Sequence, residues 1–115
     1  MAGVIGAEEK RVRIRELNYQ LRTTFTGGVV VLSAAVAAMS AADRGAALVA
    51  VRAFNHFDGD SDRWGEQDFG EVYAGNERLF FKIDYYDHDL VGASPDPSDP
   101  SVTTRVLTIM LASEY

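Results

Sequence analysis

The sequence predicts a single α+β domain over residues 1–115, in which two helices pack on a small, mostly antiparallel sheet of about four strands. Three observations predict it. Residues 67–86 have the pattern of a long β-hairpin, two earlier segments have helical periodicity, and further β-branched segments lie on either side of the hairpin. A chain of 115 residues is long enough to bury one hydrophobic core.

The hairpin can be aligned residue by residue. Gly75-Asn76 suits a two-residue loop, because such loops need positive φ and both residue types supply it cheaply. That loop places Val72 opposite Leu79 and Gly70 opposite Phe81, so the ring has room to cross bare backbone. Alternation then gives a core face of Val72, Leu79, Phe81, Ile83 and Tyr85. The opposite face is amphipathic and carries Phe69, Glu71, Tyr73, Arg78, Phe80, Lys82 and Asp84.

Two helices and one strand are expected before the hairpin. Residues 1–7 are expected to be disordered, and a helical period runs from about Glu8 to Phe25. Residues 28–33 are apolar and β-branched on both sides, which favours an interior strand followed by a short helical turn. Ser40 suits the N-cap of a second helix, which Asp58-Gly59 should end.

The C-terminal segment, residues 101–112, has two interpretations. Asp99-Pro100 could be the N-cap and first residue of a helix. The density of β-branched residues favours a strand instead.

Composition narrows the functional classes. The chain has no cysteine, which excludes disulfides, zinc–thiolate sites and thiol nucleophiles. The apolar run from Val29 to Met39 is too short to span a bilayer, and the first residues do not form a secretory signal. We therefore expect a cytoplasmic protein without a membrane partner.

The net charge of −6 is unevenly distributed. Residues 58–99 hold 12 of the 17 acidic side chains and only 3 of the 11 basic ones. An acidic face of this kind favours a protein partner with a basic surface and argues against direct nucleic-acid binding; the alternative is that the acids only confer solubility. The candidate partner-binding residues are Asp58, Asp60, Asp62, Trp64, Glu66, Asp68, Glu71, Tyr73, Asp84, Asp87 and Asp89.

A lone tryptophan in such a segment has two common roles. Trp64 either folds back to close the core, which is the more frequent outcome, or anchors a partner.

Two groups of carboxylates resemble metal sites only in part. Asp58, Asp60 and Asp62 match the opening of a calcium-binding loop, but Arg63 and Phe69 occupy the positions that need glycine and glutamate. The second group, Asp84, Asp87, His88 and Asp89, could serve acid–base chemistry or bind a divalent metal if a turn brought its members together. We expect no cofactor, no metal and no catalytic residue.

Four segments resemble a family of small bacterial proteins known only as a domain of unknown function. They are GEQDFG (65–70), KIDYYD (82–87), DPSDPSVTTRVLTIMLASEY (96–115) and IRELNYQLRTTFTGG (14–28). The family usually has GEHDFG in the first of these, so Gln67 stands where a histidine is usual. The resemblance implies no activity, and the family is common on mobile-element and plasmid DNA.

Three hypotheses about function remain. The first is a non-catalytic acidic protein-binding module. Its most specific form is an inhibitor of a host nucleic-acid-handling defence system, of the anti-CRISPR or anti-restriction type. The physical reason is that carboxylates can compete for a site that binds phosphates. The second is a metal-dependent enzyme that uses Asp84, Asp87, His88 and Asp89. The third is an oligomeric accessory protein, for example a homodimer.

Overall fold

A computed structural model describes residues 6–57, 62 and 64–115. These residues form three helices and a four-stranded sheet, which confirms the α+β class. In chain order the elements are α1 (Ala7–Thr24), β1 (Val29–Leu32), α2 (Ala34–Ala37), α3 (Ala41–Ala53), β2 (Phe69–Ala74), β3 (Glu77–Tyr86) and β4 (Thr104–Leu111). Residues 1–5, most of the segment expected to be disordered, lie outside the described residues.

The sheet has the order β1-β4-β3-β2, and only the β1–β4 pair is parallel. The expectation of an interior position for residues 28–33 is therefore wrong, because β1 is an edge strand. Its valines are only half covered: Val29 and Val31 keep 45% and 41% of their surface exposed. The β-branched residues of β1 accompany its pairing with β4, and they do not indicate that the strand is covered on both faces.

The hairpin register is confirmed at every predicted pair from Gly70–Phe81 to Ala74–Glu77. Gly75 has φ +60° whereas Asn76 does not have a positive φ, the combination typical of a type II′ loop. A Cβ on Gly70 would lie 2.4 Å from Cε2 of Phe81, so the ring does cross bare backbone. The predicted role of this glycine is therefore confirmed.

Both predicted helices form, with the expected cap on the second. The Ser40 hydroxyl accepts a hydrogen bond from the Asp43 amide at 3.1 Å and begins α3. This helix ends at Ala53, before the expected Asp58-Gly59, because the backbone of Phe54 is already extended. Residues 34–37 form the short helical turn.

The C-terminal segment is a strand, and β4 occupies the centre of the sheet. Asp99 nevertheless acts as a cap, since its carboxylate accepts from the Ser101 amide at 2.9 Å and begins a single 3₁₀ turn, Pro100–Val102. Asp99 is therefore an N-cap, as the helix interpretation predicted. The turn does not continue as a helix, because Thr103 already has extended backbone angles.

The core lies between the helices and one face of the sheet. Leu21, Val36, Ala47 and Val51 of the helices pack there on the alternate residues of the strands, and all four are fully buried. The opposite face of the sheet carries no helix within the residues that the structure describes.

Candidate protein-binding surfaces

The loop before β2 is fastened to the middle of α1. The Arg15 guanidinium donates to the Gly65 carbonyl at 3.2 Å, and the Asn18 amide donates to the Glu66 carbonyl at 3.0 Å. The carboxylate of Asp62 accepts from the Gln67 amide at 2.8 Å, which closes a turn within the loop. Gln67 has φ +55°, a left-handed conformation that is uncommon outside glycine. These contacts hold residues 65–67 against the helix.

Beneath this loop lies a buried polar network that the sequence did not reveal. Asn18 is fully buried; its amide also donates to the Tyr85 hydroxyl at 2.8 Å, and its oxygen accepts from Nε of Arg105 at 3.0 Å. Arg105 is 2% exposed, lies over the Tyr85 ring and donates to the Pro97 carbonyl. Burial lowers the pKa of Arg105 and raises that of Tyr85. The network ties α1, β3 and β4 to the loop.

A signal for this network was present in the pattern of hydrophobic residues. Asn18 lies four residues after Ile14 on the buried side of α1. Arg105 shares the inner face of β4 with Leu107 and Ile109. A polar residue at a core position needs partners, because an unpaired buried polar group is costly. The sequence alone does not show that Asn18 and Arg105 are partners, because 87 positions separate them and only the fold brings them together.

Carboxylates converge where this loop enters the sheet. Burial raises the pKa of Asp68, and the negative charges of Glu66, Asp62 and Asp84 raise it further. The Glu66 side chain accepts from the Tyr85 hydroxyl at 2.9 Å and is therefore held at the edge of the buried network. We call Asp62, Trp64, Glu66 and Asp68 the acidic end. Four of the predicted partner-binding residues therefore lie in this one loop, where the carboxylates of Asp62 and Glu66 are close enough to Asp68 to raise its pKa.

Trp64 lies on the surface of this loop with 67% of its area exposed. The more frequent role of such a tryptophan, closing the core, is therefore wrong for this chain. The core around Phe81 is closed by Phe54 and Phe57 instead, whose rings contact Phe81 edge to face at centroid distances of 5.3 and 6.3 Å. The indole is left available to another molecule.

Three other predicted residues lie on the open side of the sheet, where their charges are paired. Glu71 accepts from Arg78 at 2.9 Å and from the Tyr73 hydroxyl at 2.6 Å, and these bonds lower the pKa of Glu71. The carboxylate of Asp84 lies 3.0 Å from Nζ of Lys82. Glu71, Tyr73 and Asp84 therefore belong to a charge-balanced surface. Asp58 and Asp60 lie outside the described residues.

The carboxylates that follow β3 have structural partners of their own. The Asp87 side chain accepts from the Val91 amide at 3.1 Å, and Asp89 is exposed. The His88 ring contacts the Ser101 carbonyl and lies 3.4 Å from the Thr104 hydroxyl. Within residues 6–57, 62 and 64–115, no group of three or more histidine, aspartate or glutamate side chains could hold a metal ion. The enzyme hypothesis thus has no assembled metal site in that part of the chain.

We expect thermal melts in excess calcium, in excess magnesium and in chelator to overlay within about a degree. A ligand present at about 100 times its dissociation constant adds about 2.7 kcal/mol to a native state that alone binds it. For a domain of this size that addition would raise Tm by about 10 °C or more. Differential scanning calorimetry makes the comparison, and a saturable rise with calcium would restore the metal hypothesis.

Several basic side chains of α1 have partners within the chain. The guanidinium of Arg11 lies 2.6 Å from the Glu8 carboxylate, and that of Arg13 lies 3.5 Å from the Glu16 carboxylate. Nζ of Lys10 lies 3.5 Å from the Asp96 carboxylate. Arg22 is 3% exposed and donates to the carbonyls of Val51, Arg52 and Phe54 at the end of α3. Its role is therefore structural.

A shallow depression of about 270 Å³ lies beside the loop and is lined by Arg15, Glu16, Tyr19 and Gln67. A second, of about 330 Å³, lies between α1 and α3 and is lined by Thr23, Val49, Arg52 and Ala53. Both are open to solvent. Neither is lined by a nucleophile positioned beside a base.

These observations define a small α+β domain with helices on one side of its sheet and an acidic, tryptophan-bearing loop at one end. The sequence profile of a family described as "Protein of unknown function (DUF3768)" matches residues 32–114. The chain belongs to this family. The matched range begins after α1, yet Asn18 of that helix completes the polar network of β3 and β4. Comparison with curated proteins and with solved structures gave no match.

None of the helices in the described part of the chain is both long and apolar enough to cross a membrane.

Proposed function

We propose that this protein is a non-catalytic binding module whose acidic end engages a basic surface on another protein. The observation that carries the proposal is the 67% exposure of Trp64 within a loop of carboxylates. Tryptophan is enriched among the residues that dominate binding energy at protein interfaces. Its neighbours Asp62, Glu66 and Asp68 would supply charge complementarity and steer the encounter.

The contacts of residues 65–66 with α1 support this function. Arg15 and Asn18 hold its backbone, so little conformational freedom has to be lost when a partner binds. The raised pKa of Asp68 means that its ionised form is disfavoured in the free protein. A cation from the partner would relieve that penalty, so the acidic end gains electrostatic stabilisation upon binding.

In its sharpest form, the partner is a nucleic-acid-handling protein of a host defence system, and this chain is its inhibitor. The physical basis is that an array of carboxylates can occupy a site that has evolved to bind phosphates. An anti-CRISPR or anti-restriction role, encoded on a mobile element and acting in the cytoplasm, is the specific version that we propose to test.

We expect Trp64→Ala to weaken binding to the partner more than tenfold, about 1.4 kcal/mol, while leaving the thermal stability of the free protein unchanged. The partner would be isolated by affinity capture from the native host, purified and titrated by calorimetry. Its dissociation constant should also increase between 0.1 and 1 M salt, since the Debye length falls from about 10 to about 3 Å over that range.

Val91→Ala provides the matched control. Val91 is 86% exposed and lies in the turn after β3, outside the acidic end, so its truncation should change neither stability nor binding. If Trp64→Ala binds as tightly as Val91→Ala, the acidic end is not the interface. A partner affinity that is independent of salt would exclude the electrostatic mechanism even if Trp64 is required.

A further inference from the structure

The side of the sheet opposite the helices forms a second surface, separate from the acidic end. We call it the open face. It consists of the outward-pointing residues of the four strands, which are Val29, Val31, Phe69, Glu71, Tyr73, Arg78, Phe80, Lys82, Asp84, Tyr86, Thr104, Val106, Thr108 and Met110. Among the residues that the structure places, only Tyr115 from the C-terminal 3₁₀ turn rests on it through aromatic contacts.

The composition of the open face is unusual for a solvated surface. An antiparallel sheet covered on one side normally alternates apolar residues inward with polar residues outward. Here the outward positions of β1 are valines, and those of β4 include the half-buried Val106 and Met110, which is 6% exposed. Tyr73 at the other edge is 66% exposed. The face therefore extends apolar and aromatic side chains across all four strands.

Three rings form a cluster at one corner of this face. Phe69 and Phe80 lie 5.0 Å apart between ring centroids, and Tyr115 contacts them at 5.6 and 5.5 Å. Tyr115 itself is 73% exposed. Tyr115 therefore presents its ring to solvent, while Phe69 and Phe80 are half-buried.

The charges on the open face cancel one another. Glu71 is paired with Arg78 and Asp84 with Lys82, at 2.9 and 3.0 Å. The whole chain has a net charge of −6, so most of its surface repels a second copy. The open face, in contrast, carries equal numbers of both signs. This charge balance makes a second copy of the same face a better partner than a strongly basic or strongly acidic surface.

We propose that the open face is a homodimer interface, in which the sheets of two copies stack face to face. The occupant is a second copy of this chain because a charge-balanced face can meet itself, with the carboxylates of one protomer against the cations of the other. Two sheets packed in this way lie about 10 Å apart and interdigitate their side chains. The helices and the acidic ends remain on the outside of the dimer.

The area of the open face is close to what a specific interface needs. The four strands have 4, 6, 10 and 8 residues, and at about 3.3 Å per residue and about 4.8 Å between strands they cover roughly 440 Å² in projection. Two copies contribute roughly 900 Å² before the relief of the side chains is added, against the roughly 1,000 Å² that is the lower bound expected for a specific interface.

The test measures mass in solution with Thr108→Glu as the disrupting variant. Thr108 lies beside Lys82 on the open face, so a glutamate there has a cation to pair with in the monomer. In the dimer the same carboxylate is buried, which is costly. Sedimentation velocity at about 100 µM should give twice 12.6 kDa for the wild type and 12.6 kDa for Thr108→Glu.

Two further variants keep the outcome decisive. Tyr73→Lys changes a side chain that is 66% exposed, so it should preserve the fold and still weaken the dimer even if Thr108→Glu does not fold. Val49→Glu changes a 65% exposed residue of α3 on the other side and should leave the dimer intact. A monomeric wild type overturns the proposal and leaves the face to another macromolecule. A dimer that Val49→Glu disrupts, or that survives both open-face variants, also overturns it.

Discussion

Phe81→Ala is expected to lower the free energy of unfolding by about 3–5 kcal/mol, as removal of a buried phenylalanine ring typically does. Phe81 is fully buried at the centre of the core, where its ring contacts Phe54 and Phe57 and covers the backbone of Gly70. Urea denaturation followed by circular dichroism would measure the change. Such a loss is a large fraction of the total stability of a domain of this size.

Phe80→Ala is the matched control, since Phe80 is the adjacent residue on the opposite face and is only partly buried. It should cost much less than Phe81→Ala when measured on the monomer. Equal costs would contradict the assignment of the two faces.

Gly70→Ala gives an independent check of the same contact. Its Cβ would lie 2.4 Å from the Phe81 ring in the wild type, and most of that clash is absent once the ring is removed. The double variant should therefore lose less stability than the sum of the two single variants.

Asn18→Leu is expected to cost about 3 kcal/mol, because it leaves buried donors and acceptors without partners. The substitution removes the acceptor for Nε of Arg105 and the donor to the Glu66 carbonyl. The charged guanidinium then remains buried with fewer hydrogen bonds. The same denaturation experiment measures the effect, and the loop of the acidic end should become more accessible to protease.

Gln20→Leu on the same helix is the control, since Gln20 is exposed and should tolerate the change within about 0.5 kcal/mol. Replacing both polar partners, as in Asn18→Leu with Arg105→Met, should cost less than the sum of the single changes because fewer groups are left unpaired. A cost for Asn18→Leu no larger than that for Gln20→Leu would show that the network contributes nothing to stability.

The parts of the fold that depend on local sequence could be predicted. Gly75-Asn76 specified the loop of the hairpin, and alternation from that loop fixed which residues face the core. Ser40 and Asp99 both cap the turns that their positions indicated. Each of these features depends on residues within a few positions of one another, where steric limits and hydrogen bonding leave few options.

The parts that depend on distant residues could not be predicted. The edge position of β1 follows from its pairing with β4, more than 70 positions later, and no local pattern encodes that partner. Asn18 and Arg105 meet for the same reason. Alternation along the hairpin did predict which charges share the open face, where Arg78 and Lys82 neutralise the carboxylates of β2 and β3. The acidic end lies in the loop before β2 and is not part of the open face.

The central position of β4 has a consequence for how the chain acquires its structure. β4 is the last of the four strands in sequence, yet it separates β1 from the β2–β3 hairpin and pairs with both neighbours. The β3 edge of the hairpin therefore has no partner strand until β4 has been synthesised, and β1 has none until then either. Contacts between such distant segments slow folding, because a long loop must close before they form. During synthesis an apolar hairpin with an unpaired edge would wait for its central strand, which is the interval in which this protein is most exposed to aggregation.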